Sequence, residues 1–388
     1  VNLYDIYKRE NTDFKKRTES SYEYENRSAR IEISRIRDEL QRWFDGYPKK
    51  YKTDLLSRFR STDDTQHYSA FFELFCYTLL KRHGFSVKLH VETKESKGKK
   101  PDFEVRLKNK VVFYMEATVL YNSKEKRATR TQKDVIYDYL DTNLISPNFF
   151  FNVEICSSTN KSPPSSKIKE YLTKKLAQTD YLLIKNYFEN EEYEKIPIWI
   201  WKKKGWEIKF TPIPKSYELR GKNGIRPIGA EFKGAQWINN RTLILKSLRS
   251  KAKKYGSLRK PFIIALNILS DLPDRTDILD ALFGQEVFNY NTQTKEVIPF
   301  RKKNGLWTST NGPTYTRVSG VLFTIQLNPW TIAKTDIFLW HNPWAQYLLD
   351  LSIWQGYQNY IDKNTSMMKT KRGLSAYQIM GLDADWPF

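Results

Sequence analysis

Pro101–Val119, PDFEVRLKNKVVFYMEATV, is the stretch that decides the fold. Phe103, Val105 and Leu107 alternate with Asp102, Glu104 and Arg106. Beyond Lys108-Asn109-Lys110, Val111, Phe113, Met115, Ala117 and Val119 alternate with Val112, Tyr114, Glu116 and Thr118. Period 2 predicts two strands, each with one apolar and one mostly polar face. A three-residue loop over 108–110 pairs Leu107 with Val111 and, counting back, sets Asp102 opposite Glu116. Directly opposed side chains lie about 5 Å apart on one face. Two carboxylates held that close repel each other unless a cation sits between them, and a hard divalent cation such as Mg2+ accepts such oxygen ligands. The competing reading is an edge hairpin with a solvated outer face, in which Glu104–Tyr114 and Asp102–Glu116 are ordinary surface neighbours.

The segments on either side supply two more candidates. Ser61, followed by an acid at Asp64, resembles a capping box and predicts a helix through QHYSAFFELFCYTLLKRH that stops at Gly84. Glu73 is the one acid between Ser69 and Leu80, among Phe71, Phe72, Leu74, Phe75 and Leu79. Buried without a partner it would cost several kcal/mol, so it must face a metal, a cation or a wet cleft. Gln66 lies two turns before it on the same face. Phe85–Glu92 alternates and predicts the first strand. Downstream, 239–255 predicts a helix with Ile244, Leu248 and Tyr255 on one stripe. Lys251 falls on that stripe, while Lys253 and Lys254 point elsewhere. A lysine on a buried stripe needs a reason: either it snorkels or it reaches the carboxylates. Pro261–Ile268 is a continuous apolar run, as a buried strand requires.

Pro101-Asp102, followed by Glu116-Ala117-Thr118 on a hairpin after an acid-bearing helix, resembles the PD-(D/E)XK nuclease superfamily. The resemblance covers about residues 65–120 and 240–270, and Thr118 stands where that family has a lysine. It implies a restriction-endonuclease-like α/β fold, a mixed central sheet flanked by helices, and Mg2+ or Mn2+ held by Asp102 and Glu116 with Glu73 as a further acid. It also implies that Lys251 replaces the missing lysine from a neighbouring element, with Thr118 able only to hold a water. The implied activity is endonucleolytic cleavage of a nucleic acid, DNA before RNA. Some nuclease-like proteins of this size act in defence against mobile DNA. The order Glu73, Pro101–Phe103, Glu116–Thr118, Lys251–Gly256, Ala281–Gly284 and Asn342–Ala345 also resembles a group of bacterial proteins; that likeness implies common architecture and carries no activity.

Charge points to the same class of partner. Lys and Arg number 65 against 44 Asp and Glu, a net charge of +21, which favours polyanions. Between Trp201 and Lys260 stand 17 basic residues against Glu207, Glu218 and Glu231, interleaved with seven aromatics. Basic side chains neutralise phosphates and aromatic faces stack on unpaired bases. The expected contacts are Lys124, Arg127, Arg130, Lys202, Lys203, Lys204, Lys222, Arg226, Lys253 and Lys254. A plain lysine-rich solvated surface is the alternative, and a regulatory protein or a second copy of the chain is a further expected partner. Two cysteines, Cys76 and Cys156, suggest neither a disulfide framework nor a zinc site. With no signal-like start and no membrane-length apolar run, the expectation is a cytoplasmic protein.

The expected domains are a helical layer over 1–60, a core over 61–120 and 239–345, an inserted basic α+β subdomain over 121–238, and a C-terminal extension over 346–388 that ends in a loosely attached tail over 365–388. The insert contains a predicted hairpin turning at Lys203-Lys204-Gly205. Gly221–Gly229 lacks the spacing of a nucleotide-binding loop. Asp271, Asp274, Asp277 and Asp280 lack the glycine and glutamate of an EF-hand and predict a capped helix. Phe338–Trp344, FLWHNPW, offers His341 and Asn342 without a paired nucleophile and predicts a packed turn.

Overall fold

The computed structural model describes all residues except 93–97, 122–123, 160–163, 223–224, 232–239, 257, 270–272, 291 and 363, and only the backbone of 124–132 and 229–231. It divides into two compact units: residues 1–13, 20–122 and 238–388, and residues 14–19 with 123–237.

In chain order the elements are α1 (Ser21–Arg27), α2 (Ile31–Asp45), α3 (Lys52–Phe59), α4 (Asp64–Arg82), β1 (Ser86–Leu89), β2 (Phe103–Leu107) and β3 (Lys110–Leu120). The second unit then supplies α5 (Lys124–Asn143), β4 (Phe149–Ser157), α6 (Ser165–Ala177), α7 (Tyr181–Glu189), β5 (Trp199–Lys203), β6 (Trp206–Pro214) and β7 (Ile228–Glu231). The first resumes with α8 (Asn240–Ala252), β8 (Phe262–Ile268), α9 (Arg275–Phe283), the hairpin β9 (Glu286–Tyr290) and β10 (Val297–Arg301), and the short pair β11 (Thr308–Ser309) and β12 (Gly312–Pro313). It ends with β13 (Gly320–Ile325), β14 (Ile337–His341), β15 (Tyr357–Ile361), β16 (Met368–Lys371) and α10 (Ala376–Met380).

The first unit is built on an eight-stranded mixed sheet in the order β1-β2-β3-β8-β13-β14-β15-β16. β1, β2 and β3 are antiparallel neighbours, whereas β3, β8 and β13 run parallel. Each face carries its own core. Ile263 and Ala265 of β8 join α2, α3 and α4 on one side; Phe262, Ile264, Leu266 and Ile268 join α8 and α9 on the other. Cover on both faces explains why β8 reads as unbroken apolar sequence. It also corrects the picture of β3. Phe113 and Met115 pack in the first core and Tyr114 in the second, so the polar-looking face is buried and the solvated edge hairpin does not apply.

The β2–β3 turn has two residues, not three. Lys108 and Asn109 both have positive φ, the conformation a tight hairpin turn demands, and Leu107 pairs with Lys110. A bulge then shifts the ladder by one, so that Val105 pairs with Phe113 and Phe103 with Met115. The bulge restores the register that a three-residue loop would give, and Asp102 still comes to the level of Glu116.

Several other expected bounds shift. Residues before Ser21 form no helix. Asp63, not Ser61, caps α4 by accepting from the Thr65 amide. β1 stops at Leu89, because His90 turns to positive φ. The segment from Phe338 contributes β14 rather than a turn, and residues 365–388 are no loose tail, since β16 pairs with β15 at the edge of the sheet. Ile379 and Met380 of α10 reach the first core.

The second unit is a four-stranded sheet in the order β5-β6-β4-β7. Ile136, Tyr137 and Leu140 of α5 and Ile168 and Leu172 of α6 pack with Trp199, Trp201 and Trp206. Its β5–β6 turn is the pair Lys204-Gly205, both at positive φ, with Lys203 already paired to Trp206.

Candidate active site

Glu73, Asp102 and Glu116 line one cleft of about 260 Å3, with Arg58, Ser69, Thr118, Lys251 and Lys254 in the same wall. Each arrives on a different element for a local reason. α4 presents Glu73 in mid-helix. Asp102 sits just before β2, where its carbonyl accepts from the His90 amide and its Oδ2 accepts from the Ala117 amide at 2.8 Å. Glu116 lies in the central, buried part of β3 and is 1 % exposed.

Glu116 is surrounded by donors. Lys251 Nζ reaches its Oε1 at 2.9 Å and Lys254 Nζ the same oxygen at 2.6 Å. The Tyr255 hydroxyl donates to Oε2. Burial, then the Glu116 charge, drives the Tyr255 phenol far above its ordinary value, so it remains a donor. The helix bearing Lys251 ends at Ala252, earlier than expected, and the following turn brings Lys254 back to the carboxylate. Lys254 therefore does not point away from the carboxylates: it is an ion-pair partner of Glu116.

Glu73, 8 % exposed, meets a cation, one of the three surroundings its sequence context allows. Arg58 Nη2 of α3 lies 2.8 Å from Oε2, and the Tyr47 hydroxyl donates to Oε1 at 2.6 Å. His90 Nε2 is 4.0 Å from the same carboxylate. Asp102 is the odd member. Burial first, and the Glu116 charge second, push its carboxyl up to about 7, against the Ala117 amide hydrogen bond and the Lys254 charge. Carboxylate oxygens suit a hard divalent cation, while the positive charge in the cleft, Lys251 and Lys254, sits on Glu116. Asp102 and Glu116 are of the donor type that Mg2+ or Mn2+ takes, and Glu116 would have to give up one of its side-chain bonds to serve as a ligand. Among the described residues no group of three or more His, Cys, Asp or Glu is arranged as a metal cluster.

Sequence reasoning missed Arg58, Tyr47 and Tyr255, and set Lys254 outside the carboxylate cleft. For Tyr255 the signal was available, since it stands at i+4 from Lys251 on the predicted stripe; Lys254 had none, because the helix ends at Ala252 and the turn after it brings the ammonium back. Arg58 and Tyr47 had none, since only tertiary packing brings them to Glu73. Gln66 is exposed and does not line the cleft. Tyr77 is buried against Tyr47.

Of the residues expected to track a backbone, the side chains of Lys124, Arg127 and Arg130 lie outside the described residues. Lys202 pairs with Glu207 at 2.9 Å, and Lys203, Lys204, Lys222 and Lys253 are exposed. Arg226 is spent internally, donating to the Phe14 carbonyl at 2.9 Å. Both cysteines are free. No helix among the described residues is long and apolar enough to cross a membrane. No protein-family model, curated protein or solved structure matches the chain.

Proposed function

We propose that the chain is a metal-dependent endonuclease that hydrolyses phosphodiester bonds, with DNA as the preferred substrate. The observation that carries this reading is the convergence of Glu73, Asp102 and Glu116 on one cleft with a lysine ammonium 2.9 Å from Glu116. Asp102 and Glu116 would hold the divalent cation. When bound, that cation lowers the pKa of a water and offsets charge building on the phosphoryl oxygens. The chain's own groups do the rest. Lys251 and Lys254 carry positive charge to the cleft, where they orient the attacking water or neutralise charge on the phosphate. Arg58 and Tyr47 hold Glu73 in place. Thr118 can bind a water through its hydroxyl but supplies no charge. The exposed lysines position the backbone of the substrate.

The test is cleavage of plasmid, linear duplex, single-stranded DNA and RNA with Mg2+, Mn2+ or EDTA. Asp102→Ala and Glu116→Ala should each abolish metal-dependent cutting while nucleic-acid binding survives. Full activity in both variants would sink the assignment.

One observation favours a second reading, a non-catalytic nucleic-acid-binding module on the same scaffold: both Glu116 oxygens are occupied by side-chain donors. Titration calorimetry with Mn2+ separates the two. The enzyme should bind the ion at Asp102 and Glu116; the module should not.

A further inference from the structure

A second cavity, of about 310 Å3, shares no residue with the carboxylate cleft. It lies at the carboxyl ends of the parallel pair β14 and β15, whose last residues His341 and Ile361 both line it. Ligand sites of α/β sheets favour the carboxyl ends of parallel strands, and cavities of roughly 300 Å3 and more accept small molecules. Pro343, Leu348, Leu349, Leu351, Tyr360 and Ile361 make the wall largely apolar.

The polar groups in that wall are mostly committed. Ser319 Oγ donates to the Tyr347 carbonyl and accepts from the Phe262 amide. Asn342 Nδ2 donates to the Val318 carbonyl, and its Oδ1 accepts from the Trp344 amide. Asp362 accepts from the backbone amides of Asn364 and Thr365 and from Lys369. His341 is different. It is 8 % exposed, and its Nε2 lies 2.9 Å from Gln358 Oε1. Gln358 Nε2 donates to the carbonyls of Leu351 and Trp354, which fixes the amide and leaves Oε1 as an acceptor. His341 must therefore carry its proton on Nε2, and Nδ1 is left as a bare acceptor. Burial, with Lys371 adding to it, keeps the ring neutral by lowering its pKa to about 4.

We propose that this cavity binds a small, uncharged, planar N–H heterocycle whose N–H donates to His341 Nδ1 while its ring packs against the leucine, proline and tyrosine wall. The recognition is directional. An apolar wall accepts any flat ring, but one without a donor would leave the acceptor it covers unpaired.

The probes are indole and benzofuran, which have the same shape and differ by the N–H. Binding is read on the full chain by calorimetry and by the imidazole nitrogen resonances of 15N-histidine-labelled protein, which has four histidines. Indole should bind about tenfold more tightly than benzofuran and shift the His341 Nδ1 signal. His341→Phe should erase that preference. Leu348→Trp, at a half-exposed wall position that leaves the His341–Gln358 pair untouched, should block both ligands. Equal affinities for the two probes, no binding of either, or an unmoved Nδ1 signal would overturn the proposal.

Discussion

At the scale of single residues, Asp102 gives the clearest pH signature. Its carboxyl titrates near 7 in the fold against about 3.9 in an unfolded chain. Between those values the folded state binds more protons than the unfolded one, so this group's contribution to stability falls as pH rises from about 4 through 7. Asp102→Asn should raise the melting temperature at pH 8, by an amount that shrinks to nothing below pH 4. A variant as unstable as wild type at pH 8 would show that the carboxylate is already compensated. Ion binding has the opposite sign: Asp102 must lose its proton to act as a ligand, so Mn2+ affinity should climb through pH 7 with proton release, visible as a buffer-dependent heat.

Lys251 and Lys254 reach the same Glu116 oxygen. Removing either leaves the other in place, so their effects on cleavage should not add. Each single alanine variant should lose about tenfold in kcat and the double variant about 1,000-fold, beyond the roughly 100-fold that additivity gives. A single variant as inactive as the double would assign the role to one lysine alone.

At the scale of elements, the Arg58–Glu73 pair ties α3 to α4 across a buried carboxylate. Breaking one side leaves an uncompensated charge. Arg58 is partly exposed, which reduces the penalty below that of a fully buried pair. Arg58→Ala should cost about 2 kcal/mol, and adding Glu73→Gln should recover part of it. Denaturant unfolding checks both, and a double variant weaker than the single one would contradict the pairing. The end of α9 is set by Gly284, at φ +100°, where an added Cβ would stand 1.8 Å from the Lys302 carbonyl oxygen. Gly284→Ala should therefore cost more than about 2 kcal/mol by the same measurement.

At the scale of the whole molecule, the net charge of +21 acts through the number of phosphates engaged. If the exposed lysines grip a backbone, log K should fall linearly with log salt, by about 0.9 per phosphate neutralised on duplex DNA. Lys203→Ala with Lys204→Ala should weaken binding equally on unrelated sequences and flatten that slope, without altering Mn2+ affinity. An unchanged slope would move the grip elsewhere on the surface.

The sequence by itself determined the strands around Pro101–Val119, the buried β8 and the helix bearing Glu73; the level of Asp102 against Glu116 came from a two-residue turn and a bulge that the sequence did not show. The strands and the helix follow from period 2, period 3.6 and unbroken apolar runs, which are local properties of the chain. The sequence also singled out Lys251, since a lysine on an apolar stripe breaks a local pattern. Tertiary structure alone decided that β3 is covered on both faces, because period 2 describes sidedness and not what covers each side. It alone joined β15 and β16 to the sheet, through pairing partners distant in sequence. It alone set Arg58 and Tyr47 on Glu73 and turned Lys254 back to Glu116. Those contacts depend on how helices dock and where a helix ends, and charged side chains carry no periodicity that records their partners.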